Sequence, residues 1–299
     1  MEFGWTDEEC KRYLARPENI SILEDLILNK VIEMANLGNG RPLPEILETR
    51  KLTTHYDGSL QDILETVKPF VLDILDYPKD VHCNALPISE YLRLESSATK
   101  KIIALLGGFA GAFLGTYIGS DPGFGLILPS AFGAGAGYVI GALPAKKRAK
   151  RIEKCLESGG VCHQGNVYLA PSSKDNLLSV AAHEYTHRVQ VDVSQGSLSN
   201  TSFSEGHANG VQLKVLRKLY QRDGSLENSL IEALYFNVLN LTHGYLWSCG
   251  SNQQVPNEKI ANFVKFTMLH PYAIGQSVLD LLENESGPEI YSQVLKEKL

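Results

Sequence analysis

The segment His183-Glu184-Tyr185-Thr186-His187 contains the residue types that metal-dependent hydrolysis requires. On a helix, positions i and i+4 lie on one face, so the imidazoles of His183 and His187 can bind the same ion. Glu184 can reach a metal-bound water without being a ligand itself. Zinc lowers the pKa of such a water toward neutrality, and a carboxylate can then accept its proton. The motif predicts a catalytic site with one Zn2+ per chain and Glu184 as the general base.

The predicted site needs a third protein ligand, because a catalytic zinc ion usually has three such ligands in addition to its water. Two residues in the later segment Ser204-Glu205-Gly206-His207 qualify, namely Glu205 and His207. A three-histidine site that included His207 would also bind zinc. The longer metzincin pattern H-E-x-x-H-x-x-G-x-x-H is absent from the chain. The residue types alone leave Glu205 and His207 as alternatives.

Together, these two motifs resemble the gluzincin zinc peptidases, the thermolysin-like group. Many of these peptidases have HExxH, then about twenty residues, and then a glutamate at the start of a second helix. Here 17 residues separate His187 from Glu205, and SEGHANG is similar to the SEG-x-A stretch of small peptidase-MA-like domains. The resemblance covers residues 165–225. It implies that His183, His187 and Glu205 bind zinc, and it favours Glu205 over His207.

The same resemblance implies two supporting roles. The position four residues after the glutamate often holds an aspartate that orients the first histidine, and here it is Asn209, which can still accept a hydrogen bond from an imidazole. Gluzincins also need a donor that stabilises the oxyanion. Tyr272 is the first candidate, because PYAIG resembles the tyrosine-bearing segment of related peptidases, and His270 is the second. Tyr245 and His243 stay open as alternatives.

Residues 102–143 carry no charge except Asp121. Two apolar halves, 102–119 and 124–143, flank a Ser-Asp-Pro-Gly turn, and glycine recurs at every fourth residue in each half. As a helix, each half would span roughly 27 to 30 Å, close to the thickness of a bilayer core. The glycine spacing is typical of closely packed membrane helices. The sequence therefore predicts a membrane hairpin, whose glycine stripe could also support a homo-oligomer.

The location of the protein follows from this hairpin and from its basic flanks. Lysines and arginines on both sides favour an arrangement in which the two ends face the cytoplasm. The catalytic domain is then expected at the cytoplasmic face of a membrane. The alternatives are a buried glycine-rich hairpin in a soluble cytoplasmic protein and a hairpin that inserts only conditionally.

The chain is expected to have three parts. Residues 1–97 form a helical N-terminal region, in which prolines such as Pro69 separate short helices. Residues 98–150 contain the hairpin with its basic flanks, and residues 151–299 form the metallopeptidase domain. The predicted fold class is mainly α (α+β), with a zincin-type catalytic domain and a small sheet. A strand at 166–170 is expected to be the sheet edge that holds an extended substrate.

Composition excludes some classes of protein. The net charge of -6 argues against a general nucleic-acid-binding protein. The five cysteines are widely spaced without a CxxC pair, which fits free thiols in a reducing compartment. The first residues lack the pattern of a cleavable signal peptide.

The predicted function is a membrane-anchored zinc peptidase that hydrolyses a peptide or protein substrate through a metal-activated water. The alternative is a membrane-inserting or oligomerising glycine-zipper protein, whose zinc domain is regulatory or a non-catalytic binding module. Glu184 argues against a purely structural zinc site, since such a site has no use for a base beside its ligands.

Overall fold

The described part of the chain is mainly helical and has one small sheet. The computed structural model describes residues 5–39, 56–94, 159–194, 201–224, 226–249 and 272–297. Helices account for 75% of the described residues, which confirms the expected mainly α class. In chain order the elements are α1 (Asp7–Leu14), α2 (Pro17–Leu37), α3 (Leu60–Ile74), β1 (Ala85–Pro87), β2 (Gly160–His163), β3 (Asn166–Leu169), α4 (Lys174–Val193), α5 (Thr201–Asp223), α6 (Glu227–Ser248), α7 (Tyr272–Ser286) and α8 (Ile290–Glu297).

Helix α4 carries the HExxH motif and lies inside the fold. It begins after Ser173, whose side-chain oxygen accepts a hydrogen bond from the backbone N–H of Asn176 at 3.3 Å. This cap satisfies one of the backbone donors of the first turn. No glycine or proline interrupts residues 174–193. Side chains on several sides of the helix are buried, among them Ala181 and Val189, as expected for a helix that other elements enclose.

The three strands form one sheet in the order β1-β3-β2. β3 pairs in parallel with β1 and antiparallel with β2. The turn between β2 and β3 has Gln164 at φ 47° and Gly165 at φ 79°, positive angles that a tight two-residue hairpin turn requires. The strand predicted at 166–170 is therefore confirmed as a strand. The expectation that it forms the sheet edge is wrong, because both of its sides are paired.

Helix α3 differs from the expectation that Pro69 separates two short helices. The helix runs from Leu60 to Ile74 and contains Pro69. A proline inside a helix costs about 3 kcal/mol, because it removes a backbone donor and crowds the preceding turn. Leu64, Val67 and Val71, however, are fully buried on one face of α3. Burial of that face stabilises the helix enough for it to continue through the proline.

One hydrophobic core joins the N-terminal helices to the helices of the predicted peptidase region. Leu14, Leu23 and Leu64 belong to the same buried cluster as Leu177 and Val215. Full burial of an aliphatic side chain of this size contributes roughly 1.5–3 kcal/mol. The domain boundaries proposed at residues 97 and 151 stay predictions. Residues from both sides of these boundaries pack in the same core.

Helices α5 and α7 cross at two glycines. A Cβ added at Gly275 would lie 1.9 Å from the backbone oxygen of Ser202, and a Cβ at Gly206 would lie 2.4 Å from the backbone nitrogen of Gln276. Two helix backbones can approach this closely only where neither carries a side chain. The contact holds the first turns of α5, which contain Glu205, firmly against α7.

Within the described ranges, none of the helices combines the length and the apolar character that crossing a bilayer requires. The hairpin predicted at 102–143 and its basic flanks lie outside the described residues. The membrane anchor and the glycine-mediated oligomer therefore stay predictions.

Candidate metal centre

Three potential ligand atoms converge between α4 and α5. The Nε2 atoms of His183 and His187 are 3.0 Å apart, and the Oε2 atom of Glu205 is 3.1 Å from the first and 3.2 Å from the second. Four ligands at about 2.0–2.1 Å around a tetrahedral ion are separated by about 3.3 Å. The nearly equilateral triangle therefore has the size of one face of a zinc coordination shell. These three side chains could hold a metal ion.

The helix geometry explains the convergence. His183 and His187 are one turn apart on α4, and their rings meet edge to face with centroids 4.7 Å apart. Glu205 comes from the first turns of α5, which the close contact with α7 positions. From there its carboxylate reaches both histidines.

The charges of the three side chains complement one another. Burial would raise the pKa of the Glu205 carboxyl, but the two histidines outweigh burial and hold that pKa below its usual value. Burial disfavours the protonated form of His187, yet the carboxylate of Glu205 raises the pKa of His187 to about 9. A carboxylate that attracts a proton onto His187 attracts a metal cation by the same Coulomb interaction. Metal binding at this site must displace that proton.

Glu184 lies beside the triangle, and its side chain packs against the sheet. Its side chain is buried against β2, where a Cβ added at Gly160 would lie 3.0 Å from the Glu184 Cγ. Burial raises the pKa of Glu184, whereas the charges of His183 and His187 and a backbone hydrogen bond at Cys162 lower it. The carboxylate therefore lies beside the metal ligands, between α4 and the outer strand β2, and outside the group that could hold the ion.

His207, the alternative ligand, is engaged elsewhere. Its Nδ1 atom lies 2.9 Å from Nε2 of Gln190, and its Nε2 atom lies 2.9 Å from the backbone oxygen of Tyr291. Burial lowers the pKa of His207 to about 4, so the ring is neutral at pH 7. His207 therefore lies outside the group of three side chains that could hold an ion, and the structure gives no support to the three-histidine alternative.

Gln190 is the supporting residue that the sequence analysis missed. Its Oε1 atom lies 2.7 Å from Nδ1 of His187, on the side of the ring opposite the triangle. A hydrogen-bond partner at this nitrogen orients a ligand histidine. The available signal was its position three residues after His187 on the same helix face.

The remaining predicted residues are only partly described. Asn209 lies half-buried on α5, and among the hydrogen bonds of the described residues none joins it to a site histidine, so its role stays a prediction. Tyr272 is the first residue of α7, but its side chain and the whole of His270 lie outside the description. Tyr245 donates its hydroxyl to Glu24 of α2 at 2.5 Å, and His243 is buried in α6. The oxyanion donor stays open among these four residues.

No family model, no curated protein and no solved structure matches the chain. The resemblance to gluzincins therefore rests on the motifs themselves and stays a prediction. Across the described ranges, His183, His187 and Glu205 form the one group of three side chains that could hold a metal ion, with potential ligand atoms all within 4.8 Å of one another.

Proposed function

We propose that the protein is a zinc-dependent peptidase of the gluzincin type. The observation that carries this proposal is the triangle of His183, His187 and Glu205, with Glu184 placed beside it on the same helix. The donor set of two imidazoles and one carboxylate fits zinc, which accepts nitrogen and oxygen ligands and keeps an open position in catalytic sites. A purely structural site would be closed by a fourth protein ligand.

The reaction proposed is hydrolysis of a peptide bond. Zinc, when bound, would act as a Lewis acid and make a water molecule acidic enough to react near neutral pH. The Glu184 carboxylate accepts a proton from that water while the water oxygen bonds to the carbonyl carbon of the substrate. The carbon–nitrogen bond then breaks, and the proton passes from Glu184 to the leaving nitrogen, which departs as an amine. His183, His187 and Glu205 hold the reacting centre in place.

The substrate in this proposal is an extended peptide. The outer strand β2 passes directly beside Glu184, and an extended peptide backbone can lie along a neighbouring strand. The membrane anchor at 102–143 is part of the same proposal and rests on the sequence alone.

The test combines metal content with peptidase activity in the full chain. Wild type, Glu184→Gln and His183→Ala are purified, their zinc is measured by mass spectrometry, and each is incubated with a broad peptide library. Wild type should hold one zinc and cleave, Glu184→Gln should hold zinc without cleaving, and His183→Ala should lose both. A wild-type protein that binds no zinc would sink the proposal, and equal cleavage by Glu184→Gln would remove Glu184 from the mechanism.

A further inference from the structure

A line of hydrogen bonds leads from the metal triangle to the C-terminal helix α8. It runs from Nδ1 of His187 to Oε1 of Gln190 at 2.7 Å, from Nε2 of Gln190 to Nδ1 of His207 at 2.9 Å, and from Nε2 of His207 to the backbone oxygen of Tyr291 at 2.9 Å. Gln190 and His207 are fully buried. We call these groups the Gln190 relay: His187, Gln190, His207 and the carbonyl of Tyr291.

The far end of the Gln190 relay sets the direction of every bond in it. A backbone carbonyl can only accept a hydrogen bond. Nε2 of His207 must therefore carry a proton, and it donates a hydrogen bond to the backbone oxygen of Tyr291. In a neutral imidazole the other nitrogen is then an acceptor. Nδ1 of His207 therefore accepts a hydrogen bond from the side-chain amide nitrogen of Gln190.

A second carbonyl fixes the amide of Gln190 independently. The same amide nitrogen donates to the backbone oxygen of Ser204 at 3.0 Å. If the amide were turned over, its oxygen would face both the Ser204 oxygen and Nδ1 of His207, so two acceptor pairs would repel each other. The oxygen of Gln190 must therefore point at His187.

The near end of the Gln190 relay determines which nitrogen of His187 has a lone pair for the metal. The Gln190 oxygen can only accept a hydrogen bond. Nδ1 of His187 must therefore carry a proton and donate that hydrogen bond. The lone pair available to a metal is then on Nε2, the atom that lies 3.0 Å from Nε2 of His183 and 3.2 Å from Oε2 of Glu205. The wrong tautomer, with its proton on Nε2, would place a hydrogen in the middle of the triangle.

We propose that Gln190 and His207 are positioning residues that hold His187 in the tautomer presenting its Nε2 lone pair to the metal. This inference rests on the proposed metal centre and deepens it, because it names what prepares the second histidine for the ion. The two residues touch neither substrate nor metal. Their effect passes through His187 alone.

The first test compares two substitutions at the same helix pair. Gln190→Met keeps the length of the side chain and removes its amide. Gln212→Met is the matched control, because Gln212 of α5 also bridges to α4, through its amide nitrogen and the Ser179 hydroxyl at 2.7 Å. Zinc affinity is measured by competition with a chromophoric chelator. Gln190→Met should weaken binding roughly 10- to 100-fold, and Gln212→Met should stay close to wild type.

The second test reads the tautomers directly, so it does not depend on whether a variant folds. Long-range proton–nitrogen NMR on histidine-labelled wild type should show His207 protonated at Nε2 alone. His187 should keep its proton at Nδ1 throughout and lose the proton at Nε2 when zinc binds. His207 protonated at Nδ1 would overturn the inference, as would equal zinc affinities for Gln190→Met and Gln212→Met. Zinc binding and the predicted tautomers without peptidase activity would instead leave the inference standing and count against the peptidase.

Discussion

The ring of Tyr291 in α8 lies against the Cα atom of Gly210 in α5, so closely that a Cβ added at position 210 would be 2.3 Å from the ring. The Tyr291 hydroxyl also donates to Glu283 at 3.2 Å, and the Lys214 ammonium lies 4.9 Å from the ring centroid. The packing of the ring against Gly210 fixes the backbone of Tyr291, whose carbonyl is the terminal acceptor of the Gln190 relay. The fit between Gly210 and Tyr291 therefore supports the proposed metal centre from a distance.

Replacing Gly210 tests this support. Gly210→Ala should improve helix propensity by up to about 1 kcal/mol, but overpacking against the ring costs typically 1–3 kcal/mol. We expect a net loss of about 1 kcal/mol in denaturant unfolding, together with weaker zinc binding. Tyr291→Phe is the control, because it keeps the ring and the carbonyl and should bind zinc as wild type does. A Gly210→Ala protein at least as stable as wild type would contradict the close fit.

The α5–α7 crossing should tolerate no side chain. Gly275→Ala would force a methyl group into the backbone of Ser202, and we expect a loss of more than about 3 kcal/mol or failure to fold. Gly224→Ala is the comparison, because position 224 has a φ of 70° and nothing within 4 Å of an added Cβ. Its cost should be near 1 kcal/mol, from backbone strain alone. Similar unfolding free energies for the two variants would show that the crossing is looser than described.

The ligand assignment separates Glu205 from His207. Glu205→Ala removes a ligand and a charge, so the purified protein should lose stoichiometric zinc after dialysis. His207→Ala should retain zinc with reduced affinity, because His207 acts only through Gln190. Metal content by mass spectrometry distinguishes the two, and a zinc-free His207→Ala beside a zinc-loaded Glu205→Ala would reverse the assignment.

Zinc should stabilise the fold, whereas removal of the general base should leave that effect unchanged. At free zinc one hundred times above Kd, ligand binding contributes about 2.7 kcal/mol, a rise of roughly 4 °C in Tm for a chain of 299 residues. Calorimetry with zinc and with a chelator should give this difference for wild type and for Glu184→Gln alike. An absent shift in Glu184→Gln alone would mean that Glu184 is a ligand.

Acid should weaken an ion pair at the end of α4. Asp192 accepts hydrogen bonds from Lys79 at 2.8 Å and from Tyr77 at 2.9 Å, and the Lys79 bond is the main reason that the pKa of Asp192 lies below its usual value. A carboxyl with a lowered folded-state pKa contributes stability above its unfolded pKa of about 3.9 and loses it as the pH falls through the folded value.

We therefore expect Asp192→Asn to be less stable than wild type by about 0.5–1 kcal/mol at pH 7, with the difference fading below about pH 4. Glu8→Gln removes the partner of Lys11 at an exposed pair and serves as the control, with no measurable effect expected. Urea unfolding between pH 2.5 and 7 checks both variants. A deficit of Asp192→Asn that persists at the lowest pH would show that the ion pair is not its cause.

Local patterns predicted the helices and the strand around the candidate site. The helix that the HExxH motif requires runs from Lys174 to Val193, begins at the Ser173 cap and contains no glycine or proline. The strand expected at 166–170 is present. Short elements were missed: β1 has three residues and ends in Pro87, and it forms only because a distant strand supplies partners. Pairing over such a separation leaves little trace in local sequence.

The candidate site was predictable to the same extent. His183, Glu184 and His187 follow from one helix, and Glu205 was reached through a family resemblance. The role of Gln190 depends on His207 and on the Ser204 carbonyl, both from α5. Only packing brings these groups together, so spacing along one helix could not reveal them.

The sheet brings together two positions that are far apart in the sequence. Pro87 at the end of β1 and Gly160 at the start of β2 both pair with Leu169, on its opposite sides. Strands in a sheet are about 4.8 Å apart, so these two points lie about 10 Å from each other at one end of the sheet. The chain therefore leaves the sheet after Pro87 and returns to it at Gly160 at the same end. Two positions with 72 residues between them in the sequence are thereby held only two strand spacings apart.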